Sequence, residues 1–259
     1  MYELKIIDLS VPLSPEVKEP TPPSIHYNNH EEGAEEAIRE LKKFGLNLTK
    51  SDFYRGKLWA TEVVNASTHA GTHVDAPYHY GETSDGKPAK TIDQIPLEWF
   101  YGDGVLFDFA DKEKGYGITV DDFKAQLKEM EYQLKPRDIV LVRTGADKHL
   151  YEPDYAFCSA GVTAEATRWL VDQGIVVVGT DAWGWDIPLD VQVMNYLKDP
   201  KNNRIWDAHL VGLEKEYCQI EKLANLDQIP KRHGFKVCCF PVKIENASGA
   251  WARPVAIIE

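Results

Sequence analysis

Four side chains able to bind a metal or move a proton fall within eleven positions of this 259-residue chain. They are His69, His73, Asp75 and His79, in the segment STHAGTHVDAPYHY. Two imidazoles and a carboxylate suit a borderline divalent cation and leave coordination positions open for water. Water bound in that way becomes a nucleophile near neutral pH. The bland alternative is a polar strand whose histidines are simply hydrogen-bonded. That reading suits a lone histidine. It suits poorly a window holding three of the chain's eight.

The spacing constrains how these groups can meet. All four share one parity, so an extended chain projects them to one face. A helix through the segment would be broken at Pro77. A straight strand fails as well, because at ~3.3 Å per residue it would hold His69 and His79 about 33 Å apart. Gly71 and Pro77, the two remaining positions of that parity, permit or impose bends. The expectation is a short extended centre carrying His73 and Asp75, with a bend on each side. His69 folds back to complete a ligand set. His79, beyond the second bend, is better placed as a general acid or base.

The surrounding elements read as alternating strands and helices. Lys5–Leu13 and Trp59–Asn65 read as strands, and the proline-rich Ser14–Asn29 as an ordered loop. Glu31–Phe44 has helical periodicity and stops at Gly45. Further strands are expected at Gly104–Phe109, Asp138–Arg143, Ile175–Val178, Lys236–Lys243 and Pro254–Ile258. Helices are expected over Thr119–Met130, opened by an N-cap threonine, and over Thr163–Gln173, ended by Gly174. No clean βαβ repeat appears. The expected fold is α/β, a single domain over residues 1–259 with a mixed, curled β-sheet flanked by helices.

His69-x-Gly71-Thr72-His73-x-Asp75-Ala76-Pro77-x-His79 resembles the signature of the metal-dependent cyclase-like hydrolases. That family includes bacterial kynurenine formamidases and isatin hydrolases. The likeness continues through His209, Glu221 and the Leu223–Leu226 element to the late strand Phe240–Ile244 and Arg253-Pro254. It implies a swivelling β/β/α fold and hydrolysis of an amide bond in a small aromatic N-formyl amine or cyclic amide. Lactone or ester hydrolysis, cyclisation, and a non-catalytic binding protein on the same fold are the alternatives.

The resemblance also implies a ligand scheme. His69, His73 and Asp75 would hold a first Zn2+ or Mn2+, and Asp75, His209 and Glu221 a second. Twelve residues on one helix would leave His209 and Glu221 about 120° apart, so they belong to different elements or to a bent segment. Retention of Glu221 points to a two-metal, formamidase-like site. The 130 residues from His79 to His209 point instead to the isatin hydrolase branch. The substrate stays open between them. A homodimer or homotetramer is implied, with a neighbouring subunit helping to close the pocket.

Other residues carry weaker signals. Trp59, ten residues before His69, is a candidate wall for an aromatic substrate, with core packing as its alternative. Phe53, Tyr54, Trp183 and Trp185 are similar candidates. Asp181 and Asp186 read first as turn-forming side chains, with a place in the pocket lining as the alternative. His26, His30, His149 and His233 read as surface residues. A formal charge of −12 argues against nucleic acid and anionic membranes as partners. Four cysteines without a Cys-x-x-Cys pair argue against disulfides and zinc ribbons. The opening MYELKIIDLS lacks the apolar run of a signal peptide, so a cytoplasmic protein acting on a small molecule is expected.

Overall fold

The computed structural model describes residues 4–258. The ends of the expected 1–259 domain, residues 1–3 and 259, lie outside it. Nine strands form one sheet: β1 (Lys5–Asp8), β2 (His73–Asp75), β3 (Tyr101–Asp108), β4 (Ile139–Arg143), β5 (Val177–Thr180), β6 (Cys218–Glu221), β7 (Phe235–Cys238), β8 (Gly249–Trp251) and β9 (Val255–Ile258). Their spatial order is β1-β9-β7-β3-β4-β5-β6-β2-β8. The run β3-β4-β5-β6 is parallel, and the strands on both sides pair antiparallel.

Alternation along the central strands splits the core in two. Val105, Phe107, Val140, Val142 and Val178 face one way and pack with Phe123, Ala166 and Leu170. Those last three lie on α3 (Val120–Glu129) and α4 (Ala164–Asp172), counting His30–Lys42 as α1 and Pro77–Tyr80 as α2. Leu106, Ile139, Leu141 and Val177 face the other way. They share a core with Ile7 and Ala256 from one end of the sheet and with Val74 and Ala250 from the other. Ser10, just after β1, bridges Leu223, just after β6, so the sheet curls, as the sequence leads one to expect.

Local chemistry explains most helix boundaries. Asn29 caps α1 with a reciprocal box, accepting from the Glu31 and Glu32 amides while its own amide donates to Glu32 Oε2 at 2.7 Å. Thr119 Oγ1 and Thr163 Oγ1 cap α3 and α4. Gly45 and Gly174 end helices at φ of 83° and 87°.

Several elements depart from the expected pattern. Ser24–Asn28, inside the expected loop, is a strand that pairs with Thr61–Asn65 in a separate two-stranded ribbon. Residues Leu189–Lys198 form a further helix, α5, that opens on Pro188 without a side-chain cap. The short strands β6 and β8 were not anticipated either. No described helix is long and apolar enough to cross a membrane.

Candidate active site

The site is built where β2, β6 and β8 meet. His73 lies opposite Glu221 of β6 and Trp251 of β8, and Asp75 lies opposite Gln219 and Gly249. Val74, Ile220 and Ala250 take the apolar face, so the alternating pattern turns His73, Asp75 and Glu221 to the other. Bends flank β2 as expected. Gly71 has φ of 61°, and Pro77 is the first residue of α2. That one-turn helix brings His79 back over the strand, with Nε2 4.0 Å from Asp75 Oδ2. His69 folds onto Asp75 from the other bend, Nδ1 donating to Oδ1 at 2.6 Å. Its ring stacks on His79 at 4.1 Å, and Ser248 Oγ meets its Nε2 at 2.9 Å.

His209 and Glu221 arrive on different elements. His209 opens the short 3-10 helix His209–Leu213, and Glu221 ends β6. His209 Nε2 stands 3.5 Å from Glu221 Oε1 and 3.9 Å from Asp75 Oδ2. His73 Nε2 stands 3.6 Å from Glu221 Oε2. The structure thus brings together all six residues His69, His73, Asp75, His79, His209 and Glu221.

It does not bring Trp59 to them. Trp59 is 44% exposed, and its backbone carbonyl leaves no room for a Cβ at Gly33 of α1. Trp59 precedes the two-stranded ribbon rather than the main sheet, and it lines no part of the cavity above these residues. The expected aromatic walls come instead from Trp183 and from Trp206, which carried no sequence signal. Trp206 has φ of 68°, in the left-handed region. Its indole stacks on His209 at 4.5 Å and meets His79 edge-on at 5.0 Å.

Asp186, read from the sequence as a turn former, has a larger part. It accepts from the backbone amides of Ala208 and His209, at 2.8 and 3.2 Å, and from His209 Nδ1. The imidazole is thereby fixed with Nε2 turned to Asp75 and Glu221. Asp181 stays out of the cluster. It accepts from the Thr144 hydroxyl and from the Thr144 and Gly145 amides.

The electrostatics fit a cation site. Burial disfavours the Asp75 carboxylate, but the charges of His73 and His79 and the hydrogen bond from His69 hold it well below its ordinary range. Burial also opposes charge on His73 and His209, and acidic neighbours overcome it. Asp75 and Glu221 raise His73, while Asp186 and Glu221 push His209 up to about 10. His79 goes the other way. Burial lowers its pKa, and Asp75 does not fully compensate.

Six buried side-chain atoms lack a hydrogen-bond partner among the described residues, and two of them, His73 Nε2 and Asp75 Oδ2, belong to this cluster. His73 Nε2 is 3.1 Å from Asp75 Oδ1 but is not aligned for a bond. Leaving such atoms unsatisfied costs roughly 1–3 kcal/mol each. Ligands about 2.0–2.2 Å from one cation lie about 3.3–3.6 Å from each other, which matches the spacings around His73 and Glu221. His69, His73 and Asp75 form one cluster with metal-ligand spacing, and Asp75, His79 and His209 form a second. The residues present therefore fit a divalent cation.

Above the cluster opens a cavity of about 590 Å3, with Ile187, Leu189, Ile205 and Leu210 on its walls. Comparison with known proteins fits this arrangement. A family model described as "Putative cyclase" matches residues 7–187. The kynurenine formamidase of Erythrobacter litoralis is 27% identical over 189 residues, spanning 73% of each chain. The isatin hydrolase of Roseibium aggregatum is 26% identical over 242 residues, covering 83% of this chain and 84% of its own. The fold is that of isatin hydrolase A from Ralstonia solanacearum, with TM-score 0.76 and 22% identity across 99% of this chain and 92% of that one. The curled sheet, the histidine–aspartate segment at its edge and the match over most of the chain place this protein in the putative cyclase family.

Proposed function

We propose that the protein is a divalent-metal-dependent hydrolase that opens an amide bond in a small aromatic N-formyl amine or cyclic amide. The observation that carries this reading is the pair of partnerless buried atoms within the ligand cluster, His73 Nε2 and Asp75 Oδ2, at the floor of a cavity that His73 lines together with tryptophans and aliphatic side chains. Relatives bearing the names kynurenine formamidase and isatin hydrolase support it.

His69, His73 and Asp75 would hold one Zn2+ or Mn2+, and Asp75, His209 and Glu221 a second. A cation there supplies Lewis acidity and lowers the pKa of bound water. His79, kept neutral near pH 7 by its lowered pKa, takes a proton from the attacking water. Oxygen bonds to the carbonyl carbon, the carbon–nitrogen bond breaks, and His79 returns the proton to the leaving nitrogen. Asp186 holds His209 in place throughout. Trp206 and Trp183 receive the aromatic ring.

The sole lysine or arginine among the described cavity residues, Lys222, is paired with Glu19. A neutral ring is therefore favoured over a substrate bearing a carboxylate, and a neutral lactone or ester remains the second reading. Turnover of isatin, formanilide, N-formylkynurenine and an aryl lactone by the metal-loaded protein separates them. Hydrolysis of the neutral amides is expected, and inertness toward all four contradicts the reading.

A homodimer or homotetramer in the cytoplasm completes the proposal. Its support is the ribbon Ser24–Asn28/Thr61–Asn65, where Tyr27 and Val63 are 62% and 63% exposed.

A further inference from the structure

Lys222 follows the candidate ligand Glu221 directly, yet its side chain is only 3% exposed. Its backbone takes φ of 57°, a conformation that L-residues other than Asn and Asp seldom adopt. The strand's end is pinned there on both sides. The Lys222 amide donates to Ala182 O at 3.0 Å, and its carbonyl accepts from Thr72 Oγ1 at 2.6 Å.

The ammonium is fully engaged. Nζ donates to Glu19 Oε2 and to the His69 carbonyl, each at 2.8 Å, and lies 5.4 Å from the centre of the Trp183 ring. Glu19 is 5% exposed, and its second oxygen, Oε1, accepts from the Gly71 amide at 2.8 Å. The turn that swings His69 back over Asp75 thus has its His69 carbonyl and its Gly71 amide satisfied by this one ion pair.

We infer that the buried Glu19–Lys222 pair is a positioning clamp that fixes the His69 turn against the Glu221 strand end, and so sets the spacing of the metal-ligating groups. This rests on the ligand assignment proposed above. The physics favours position over stability as the pair's purpose. A buried ion pair contributes little relative to well-packed apolar side chains, whereas removing one partner strands a charge. A pair that also bonds the backbone on either side of a ligand is suited to fixing geometry, and groups that orient ligands typically govern metal affinity.

The test separates the two roles. Wild type, Lys222→Met and the double variant Glu19→Leu/Lys222→Met are prepared metal-free. Zinc affinity is measured by competition with a chromophoric chelator, and melting temperature is measured without metal. Lys222→Met is expected to melt lower and to bind zinc about 10–100-fold more weakly. The double variant has no stranded charge but leaves the His69 carbonyl and Gly71 amide unpaired, so it is expected to regain part of the lost melting temperature while its zinc affinity stays at least about tenfold weak. Wild-type affinity in either variant overturns the clamp, as does affinity that returns together with melting temperature. Failure of the wild type to take up zinc overturns the ligand assignment and the clamp with it, a result distinct from the other two.

Discussion

Gly249 gives the sharpest handle on the geometry. It sits on β8 opposite Asp75, and a methyl group built there would lie 2.7 Å from His69 Cε1 and 2.8 Å from the Val74 carbonyl oxygen. Carbon atoms at ease lie about 3.5–4.0 Å apart, so Gly249→Ala forces the ring away by about 0.8 Å. The carbonyl cannot yield easily, because Val74 belongs to the central strand of the β6-β2-β8 ladder. The ring is the softer partner, and it holds the 2.6 Å bond to Asp75. Overpacking of this kind costs roughly 1–3 kcal/mol, which at about 2–4 °C per kcal/mol for a domain of this size is a fall in melting temperature of roughly 2–12 °C. Displacing a reacting group by about 1 Å can cost about 100-fold in rate. Differential scanning calorimetry, zinc titration and kcat/KM on a neutral aryl amide read these effects separately. A folded Gly249→Ala protein with wild-type zinc affinity and wild-type kcat/KM would refute the placement of His69.

Other consequences follow from single groups. Burial lowers the pKa of His79 below its ordinary 6.5. A base must be neutral, so kcat/KM is expected to stay level at pH 7 and to fall only as pH drops through a value below 6.5. A limb centred at or above 6.5 contradicts that assignment. By the same sign, the unfolded chain binds this proton more readily, so His79 contributes a loss of stability as pH falls below 6.5. Asp186→Asn removes the charge that, against burial, helps push His209 up to about 10. Histidine NMR of the metal-free protein should show that pKa falling, and metal affinity should weaken about 10–100-fold. Trp206→Ala removes the indole stacked on His209. KM for aromatic amides should rise about 2–10-fold, in line with the energy of aromatic pairs. An unchanged KM would remove Trp206 from the substrate's wall.

The sequence exposes those parts of the site that depend on local chemistry. Parity along His69–His79, with Gly71 and Pro77 as bends, is enough to predict a short strand flanked by turns, because side-chain alternation and proline's missing amide act within a few residues. Thr119 marks a helix start and Gly174 a helix end for the same reason. What stays hidden depends on distance along the chain. Glu19 meets Lys222 across 203 residues, and no local pattern links them. Asp186 sits in Gly-Thr-Asp-Ala-Trp-Gly-Trp-Asp, where an aspartate reads as a turn former. Only the fold brings His209 to it. Helix α5 opens on Pro188 without a capping side chain, and β6 is four residues long, too short for a periodic signal. Trp59 lies off this chain's own cavity, because the chain leads from it into the separate two-stranded ribbon before it returns to His69.

The central claim is that His73 and its neighbours hold a divalent cation. Elemental analysis of protein purified without chelator tests it most directly, with His73→Ala beside the wild type and both checked for folding by circular dichroism. The account predicts one or two equivalents of zinc or manganese per wild-type chain, and a large loss in the folded variant. A folded wild type without transition metal that takes up none on dialysis against zinc or manganese, or a His73→Ala protein that keeps its full complement, contradicts it.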